Sequence, residues 1–324
     1  MSNMLSLAIR FLSLLSALCL SGAIHAAEAG GRLTVVTTVA PITNIVQNVG
    51  GKYVKVSGIV PDGVDSHTFE PTPSDAKILS TADIIVVNGL HLELPTVKLA
   101  EKVKKRQTPI IHLGERALRK EDWKFDFSFP KEKGHPNPHL WPNIALAIRY
   151  TEIARDSLAA RDPAHREGYA ANAAAFVAKL QKLDAAIFTC VKSIPEKNRK
   201  LVTYHDSFAY FAPRYGMKVI AAIQPADFAE PSPRDVINII EQLRREKVPA
   251  IFGSEVFPSK ILEQIARETR VKFVDQLSDD ELPPPPKNSF IGMMANNMAI
   301  MAEALGGNPS CVAQVDTGNV EPAM

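Results

Sequence analysis

Four places in the chain set cation ligands in loops that leave apolar, strand-like runs. His205 and Asp206 directly follow the run at residues 201–204, and Asp275 directly follows the run at 271–274. His67 lies in Pro61-Asp62-Gly63-Val64-Asp65-Ser66-His67-Thr68-Phe69-Glu70-Pro71, which opens from a run ending at Val60. His139 lies in Asn137-Pro138-His139-Leu140-Trp141-Pro142, where prolines stiffen the backbone ahead of a helix beginning near Asn143. Imidazole nitrogens and carboxylate oxygens are ligands for divalent first-row cations. In an open parallel sheet, ligands gather beyond the carboxyl ends of the strands, which is where these residues fall. Placement carries the reading, because 8 histidines in 324 residues is no enrichment and ordinary hydrogen bonds satisfy a lone imidazole as well as a metal does.

The elements that must position these groups form two sets. Apolar and β-branched runs at 33–39, 54–60, 84–87 and 110–113 make the first; runs at 201–204, 218–222, 250–253 and 271–274 make the second. Short continuous apolar strands alternating with amphipathic segments such as 236–245 and 260–270 indicate parallel sheets covered on both faces. The expected fold is therefore α/β: two lobes, each with a mostly parallel four-stranded sheet flanked by helices. Between them Tyr169, Ala173, Phe176, Leu180, Leu183 and Ile187 repeat at helical spacing, with Asp162 as expected N-cap and Pro163 at the first helical position. A helix over 163–194 would be about 40 Å long and would join the lobes as a backbone strut. Thr72, Pro73 and Asp75 form a capping signal for a helix after the His67 loop.

Composition narrows the function. The 37 basic and 35 acidic side chains leave no basic stripe for nucleic acid, and 46% hydrophobic residues supply real cores. Arg10 and the amino terminus precede an apolar run at residues 11–20, followed by small residues around Ala23, Ala26 and Ala27. That pattern is a secretory signal peptide over 1–26, too short in its apolar part to span a bilayer, which takes about 20 residues. Cys19 follows Leu18, where a lipoprotein signal would have a small residue, so it is read as removed with the leader. Cys190 and Cys311 remain; in an exported chain they either pair or stay as inert buried thiols. Neither has the neighbours a zinc-cysteine site needs.

The motifs at 65–75, Asn88-Gly89-Leu90, Pro138-His139-Leu140-Trp141, 202–208 with Tyr210-Phe211, and 274–278 resemble, in order and separation, the ZnuA/TroA-like metal-receptor class of solute-binding proteins of bacterial ABC importers. The resemblance spans residues 33–306. It implies lobes at 27–162 and 195–324 joined by the 163–194 helix, with one ion held by His67 and His139 from the first lobe and His205 and Asp275 from the second. Asp279 and Asp280 stand as alternatives for the fourth ligand; Asp275 is favoured because it abuts the strand. It further implies a monomeric periplasmic receptor for Zn(II) or, second, Mn(II), handing its cargo to an inner-membrane ABC permease, with no nucleic-acid partner and no enzymatic activity.

Three imidazoles and one carboxylate complete the shell zinc prefers and can also serve manganese. Zinc-dedicated members often carry a long histidine-rich loop before the second ligand, whereas residues 120–138 here offer only His135. Members that look manganese-dedicated commonly have glutamate at the position of His205. His91, His112, His135 and His165 read as surface or strand-end residues. The alternatives are a metal-dependent hydrolase, for which an H-E-x-x-H helix is absent from the sequence, and an adhesin or organic-solute receptor on the same lobes.

Overall fold

The computed structural model describes residues 31–254 and 260–320, so the leader expected at 1–26 lies outside the described residues. In the first lobe, β1 (Leu33–Thr37), α1 (Ala40–Gly50), β2 (Val54–Gly58), α2 (Pro73–Thr81), β3 (Ile84–Val87), α3 (Leu94–Val103) and β4 (Ile110–His112) alternate along the chain. All pairings are parallel, in the order β2-β1-β3-β4. Val35, Val36 and all four residues of β3 are buried, because helices cover both faces of the central strands. After the short α4 (Leu113–Ala117), α5 (Ile144–Arg161) starts at Asn143, whose side chain accepts the Ala145 N–H at 3.1 Å. At the start of α2, Asp75 reaches back to accept the Thr72 N–H at 2.7 Å.

The second lobe repeats the plan. β5 (Lys200–Thr203), α7 (Phe211–Tyr215), β6 (Lys218–Ala222), α8 (Pro233–Glu246), β7 (Ala250–Ser254), α9 (Lys260–Thr269) and β8 (Lys272–Leu277) build a parallel sheet in the order β6-β5-β7-β8. Between the lobes, α6 (Arg166–Ser193) runs 28 residues, about 42 Å at 1.5 Å per residue. It buries Tyr169, Ala173, Phe176, Leu180, Leu183 and Ile187 along one stripe, against α1, α5 and α10 (Phe290–Ala304). Its start is as expected, with Asp162 at the N-cap and Pro163 at the first position, although the first turn, Pro163–His165, is 3-10; the Asp162 carboxylate accepts from His165 Nδ1 and the Tyr169 hydroxyl, both at 2.7 Å.

One apolar cluster runs without a break from Val35 in the first sheet through α6 to Leu201, Phe252 and α10. The end of the chain crosses back within it: Phe290 N–H donates to Asn44 Oδ1 at 2.9 Å, and Val320 N–H donates to Asn48 Oδ1 at 2.7 Å, both asparagines lying in α1. Residues from Phe290 to Val320 thus pack on the first lobe as well as the second. Cys190 in α6 and Cys311 are joined in a disulfide, their Cα atoms 5.3 Å apart, which settles the alternative the sequence left open.

A bridge closing a loop of 121 residues removes chain entropy worth about 5 kcal/mol from the unfolded ensemble. Measured effects fall at or below that bound, so replacing both cysteines with alanine is expected to lower unfolding stability by about 2–5 kcal/mol, read as a fall in the urea midpoint. An unchanged midpoint would mean the packed α6–α10 contact alone fixes this corner.

Candidate metal centre

Each histidine reaches the cleft from a loop whose shape is locally determined. Asp65 accepts the His67 N–H at 2.9 Å, a turn that swings the ring inward from the first lobe. The 137–142 stretch is tied down by Asn88, whose Nδ2 donates to the Pro138 carbonyl at 2.9 Å while its Oδ1 accepts the buried Tyr150 hydroxyl at 2.6 Å. His205 follows β5 after one residue. The result brings His67 Nε2 within 3.2 Å of His139 Nε2 and 3.0 Å of His205 Nε2. Tetrahedral zinc with bonds of about 2.0–2.1 Å spaces its donors about 3.3 Å apart, so these separations suit a single ion.

The opposite edge of each ring decides what Nε2 offers. His139 Nδ1 lies 2.8 Å from Asn137 Oδ1, an acceptor only, so Nδ1 carries the proton and Nε2 keeps a lone pair. His205 Nδ1 lies 2.9 Å from Asp279 Oδ2, with the same consequence once Nε2 loses its proton. Asp279 is itself held by Ser254 Oγ at 3.0 Å. The carboxylate that stands with the three rings is that of Asp280: one ring nitrogen from each of His67, His139 and His205 and one carboxylate oxygen of Asp280 all lie within 4.8 Å of one another. Asp280 Oδ2 accepts the Ser66 hydroxyl at 2.6 Å, while Oδ1 is buried without a hydrogen-bond partner among the described residues. A buried carboxylate oxygen left bare is costly unless a cation meets it, so the donor set fits a metal ion.

Asp275 does not join this set. β8 does not end at residue 274 but runs on to Leu277, with a bulge: Phe252 pairs with Val274, yet Ser254 pairs with Leu277, leaving Asp275 and Gln276 opposite Gly253. As the exposed part of an edge strand, Asp275 can be polar without ending the ladder, and its carboxylate lies against Gly253, where a side chain on the glycine would clash. The bulge bends the strand so that Ser278, Asp279 and Asp280, all buried, enter the cleft. Asp206 also turns away: its Oδ2 accepts the Ser128 N–H at 3.0 Å, and it hydrogen-bonds Asp126, burial pushing both carboxyls up.

Polar bonds across the cleft hold the lobes together. Asn137 Nδ2 donates to the Asp206 carbonyl at 2.7 Å, Trp141 Nε1 to the Asp279 carbonyl at 2.9 Å, and Ser128 Oγ to the Gln224 carbonyl at 2.6 Å. Phe228 from the second lobe stacks flat on His67 of the first, ring centroids 4.6 Å apart and planes within 9°. It does so from a left-handed backbone, φ +58°, which a non-glycine residue adopts only under strain. Sequence reasoning did not single out Asn137, Ser66 or Phe228 for a role. The Asp279-Asp280 pair was visible, but its position depends on the bulge.

The chain matches the family described as zinc-uptake complex component A, periplasmic (ZnuA), over residues 35–304. It is 32% identical over 273 residues to the iron-binding protein YfeA of Yersinia pestis, covering 83% of this chain and 86% of that one. It is 29% identical over 314 residues to the manganese ABC transporter substrate-binding lipoprotein PsaA of Streptococcus anginosus, covering 94% and 99%. Among solved structures, the periplasmic zinc binding protein TroA of Treponema pallidum aligns with a TM-score of 0.78 at 27% identity, over 85% of this chain and 99% of that one.

The ring protonation states follow from the surroundings. Burial, with the His205 charge nearby, pushes His67 well below 6.5, and burial with both neighbouring imidazoles does the same to His139. Burial opposes charge on His205 too, but Asp279, with Asp280 and Asp65 behind it, overrides this and pushes His205 up to about 10. Without metal, the stabilisation from His205 is therefore full below about 6.5 and is lost as pH rises through about 10. Imidazole nitrogen NMR of the metal-free protein at pH 7.5 is expected to show His205 doubly protonated and His67 and His139 neutral. Three neutral rings at that pH would mean that Asp279 does not govern His205.

Proposed function

The chain belongs to the ZnuA family of periplasmic metal-binding proteins, and from that premise we propose that it captures one divalent first-row ion outside the cytoplasm and hands it to an ABC permease. It is a receptor, not an enzyme. The observation that carries the reading is the convergence of three Nε2 atoms and the bare Asp280 oxygen in a cleft closed between two lobes. Catalytic metal sites keep one position open for water or substrate, whereas a shell of four protein ligands holds its ion as cargo. The leader expected at 1–26 fits export to the periplasm, where such a receptor meets its ion.

The ligand set in this reading is His67, His139, His205 and Asp280, with Asp279 and Asn137 orienting two of the rings. Loading draws protons off the site: the cation takes the lone pair of His205 Nε2, while Nδ1–H stays on Asp279. Asp280, pushed up to about 7 mainly by burial, gives up what proton it holds. Release asks the lobes to break the Ser66–Asp280 and Trp141–Asp279 bonds, and that opening returns two of the donors to solvent.

Zn(II) is the first choice of cargo, because three imidazoles are softer donors than carboxylates and Mn(II) ranks below Zn(II) at a given N/O site. The relatives named for iron, manganese and zinc bear names of several ions on one fold.

Two measurements test this. In chelator competition, Asp280→Ala is expected to weaken Zn(II) binding by about 100-fold or more, a ligand mattering at least as much as the supporting residues that cost 10–100-fold. Asp275→Ala is expected to leave binding unchanged; equal losses would return Asp275 to the shell. Separately, Zn(II) should displace Mn(II) at equal free concentration, and His205→Glu should narrow the gap by supplying a hard oxygen. Equal affinities in the unaltered protein would show that cleft geometry, not donor type, sets preference.

A further inference from the structure

His91 and His135 read from sequence as unremarkable surface histidines, and the metal centre uses neither. In the fold they meet: their ring centroids lie 4.1 Å apart with planes tilted 42°, although 44 positions separate them in the chain. Both line one cavity of about 120 Å³ that is also walled by His67, Phe129, Pro138 and Phe228. The pair is exposed while the inner rings are enclosed, so it stands at the outer end of the space that reaches His67.

The His91 side of this mouth is built, not incidental. Gly89, Leu90 and His91 are left-handed in succession, φ +82°, +51° and +70°. Non-glycine residues adopt that region only under strain, and such strain persists only where surroundings enforce it. Buried Glu93 accepts the Asn88 N–H at 2.7 Å and the Gly89 N–H at 3.0 Å, and Glu115 accepts the Leu90 N–H at 2.9 Å. Leu90 and Leu92 are buried on either side, which leaves His91 as the one side chain of the turn pointed outward, toward His135. Burial, with His135 beside it, holds His91 below its ordinary value, so its ring is neutral with a lone pair free at physiological pH.

We propose that His91 and His135 form a second, outer cation site at the chamber mouth, which takes an imidazole-preferring divalent ion such as Zn(II) and stands on the same cavity wall as His67. Two nitrogens from paired rings give partial coordination, with water completing the shell, so the site binds more weakly than a four-ligand centre. Glu115 adds a negative charge close to His91, and Lys133, lining the same cavity, opposes it. Weak and exposed binding suits an ion that docks before it moves inward. Only that purpose rests on the receptor reading; the outer site itself stands on the pair and the cavity.

Calorimetric titration of Zn(II) into the full purified protein tests it. The unaltered protein should show two classes of site, one tight and one weaker. His135→Gln, which lies in an exposed loop, and the double variant with His91→Asn, which tolerates the left-handed backbone, should weaken the second class by tenfold or more and keep the tight class. Retention of the tight class also reports that the variants are folded. His67→Ala should do the reverse. A weaker class that survives in both His135→Gln and the double variant, or its absence from the unaltered protein, overturns the outer site. A missing tight class with the weaker one intact would overturn the receptor reading and leave this inference standing.

Discussion

Three imidazole nitrogens converge in the cleft, His67 Nε2 lying 3.2 Å from His139 Nε2 and 3.0 Å from His205 Nε2, with His139 and His205 buried. Left to themselves, such groups would not stay there: burial penalises any charge they take up, and two facing lone pairs repel. The ion pair between His205 and Asp279 resolves the conflict in the metal-free protein, because it lets the His205 ring carry a proton that bridges to His67. Every larger feature of the molecule serves that arrangement. Buried ion pairs seldom add net stability over apolar replacements, so this one is explained by what it positions.

Much of the architecture consists of keeping donors preset. Asn137 and Asp279 each fix the tautomer of a ligand ring from behind, and each is anchored in turn, Asn137 on the Asp206 backbone and Asp279 on Ser254. The anchors belong partly to the opposite lobe. A change in lobe spacing therefore alters ring orientation and donor distance together, which couples capture of an ion to closure without a separate switch.

The helix and the disulfide determine what can move. α6 shares its buried stripe with helices of the first lobe and with α10, and the bridge to Cys311 ties the chain's last segment to it. The two sheets thus hang on a common packed spine while their carboxyl edges face each other. Interlobe contacts at those edges combine hydrogen bonds individually worth about 1 kcal/mol each with the stacking of Phe228 on His67.

The chain by itself determined the two strand sets, the helical stripe from Tyr169 to Ile187, the histidine loops and their family pattern, because periodicity and turn chemistry are local properties. It also placed candidate donors beyond strand ends. It could not say which aspartate stands beside the histidines: Asp275 ends an apolar run in sequence, yet the edge strand continues through a bulge opposite Gly253 and Asp280 is the one that lies near the three rings. Register between strands is a pairing of distant segments, invisible to a window of neighbours. The same holds for the Cys190–Cys311 bridge, the stacking of Phe228 on His67 and the meeting of His91 with His135, which exist only once packing brings remote residues to one place.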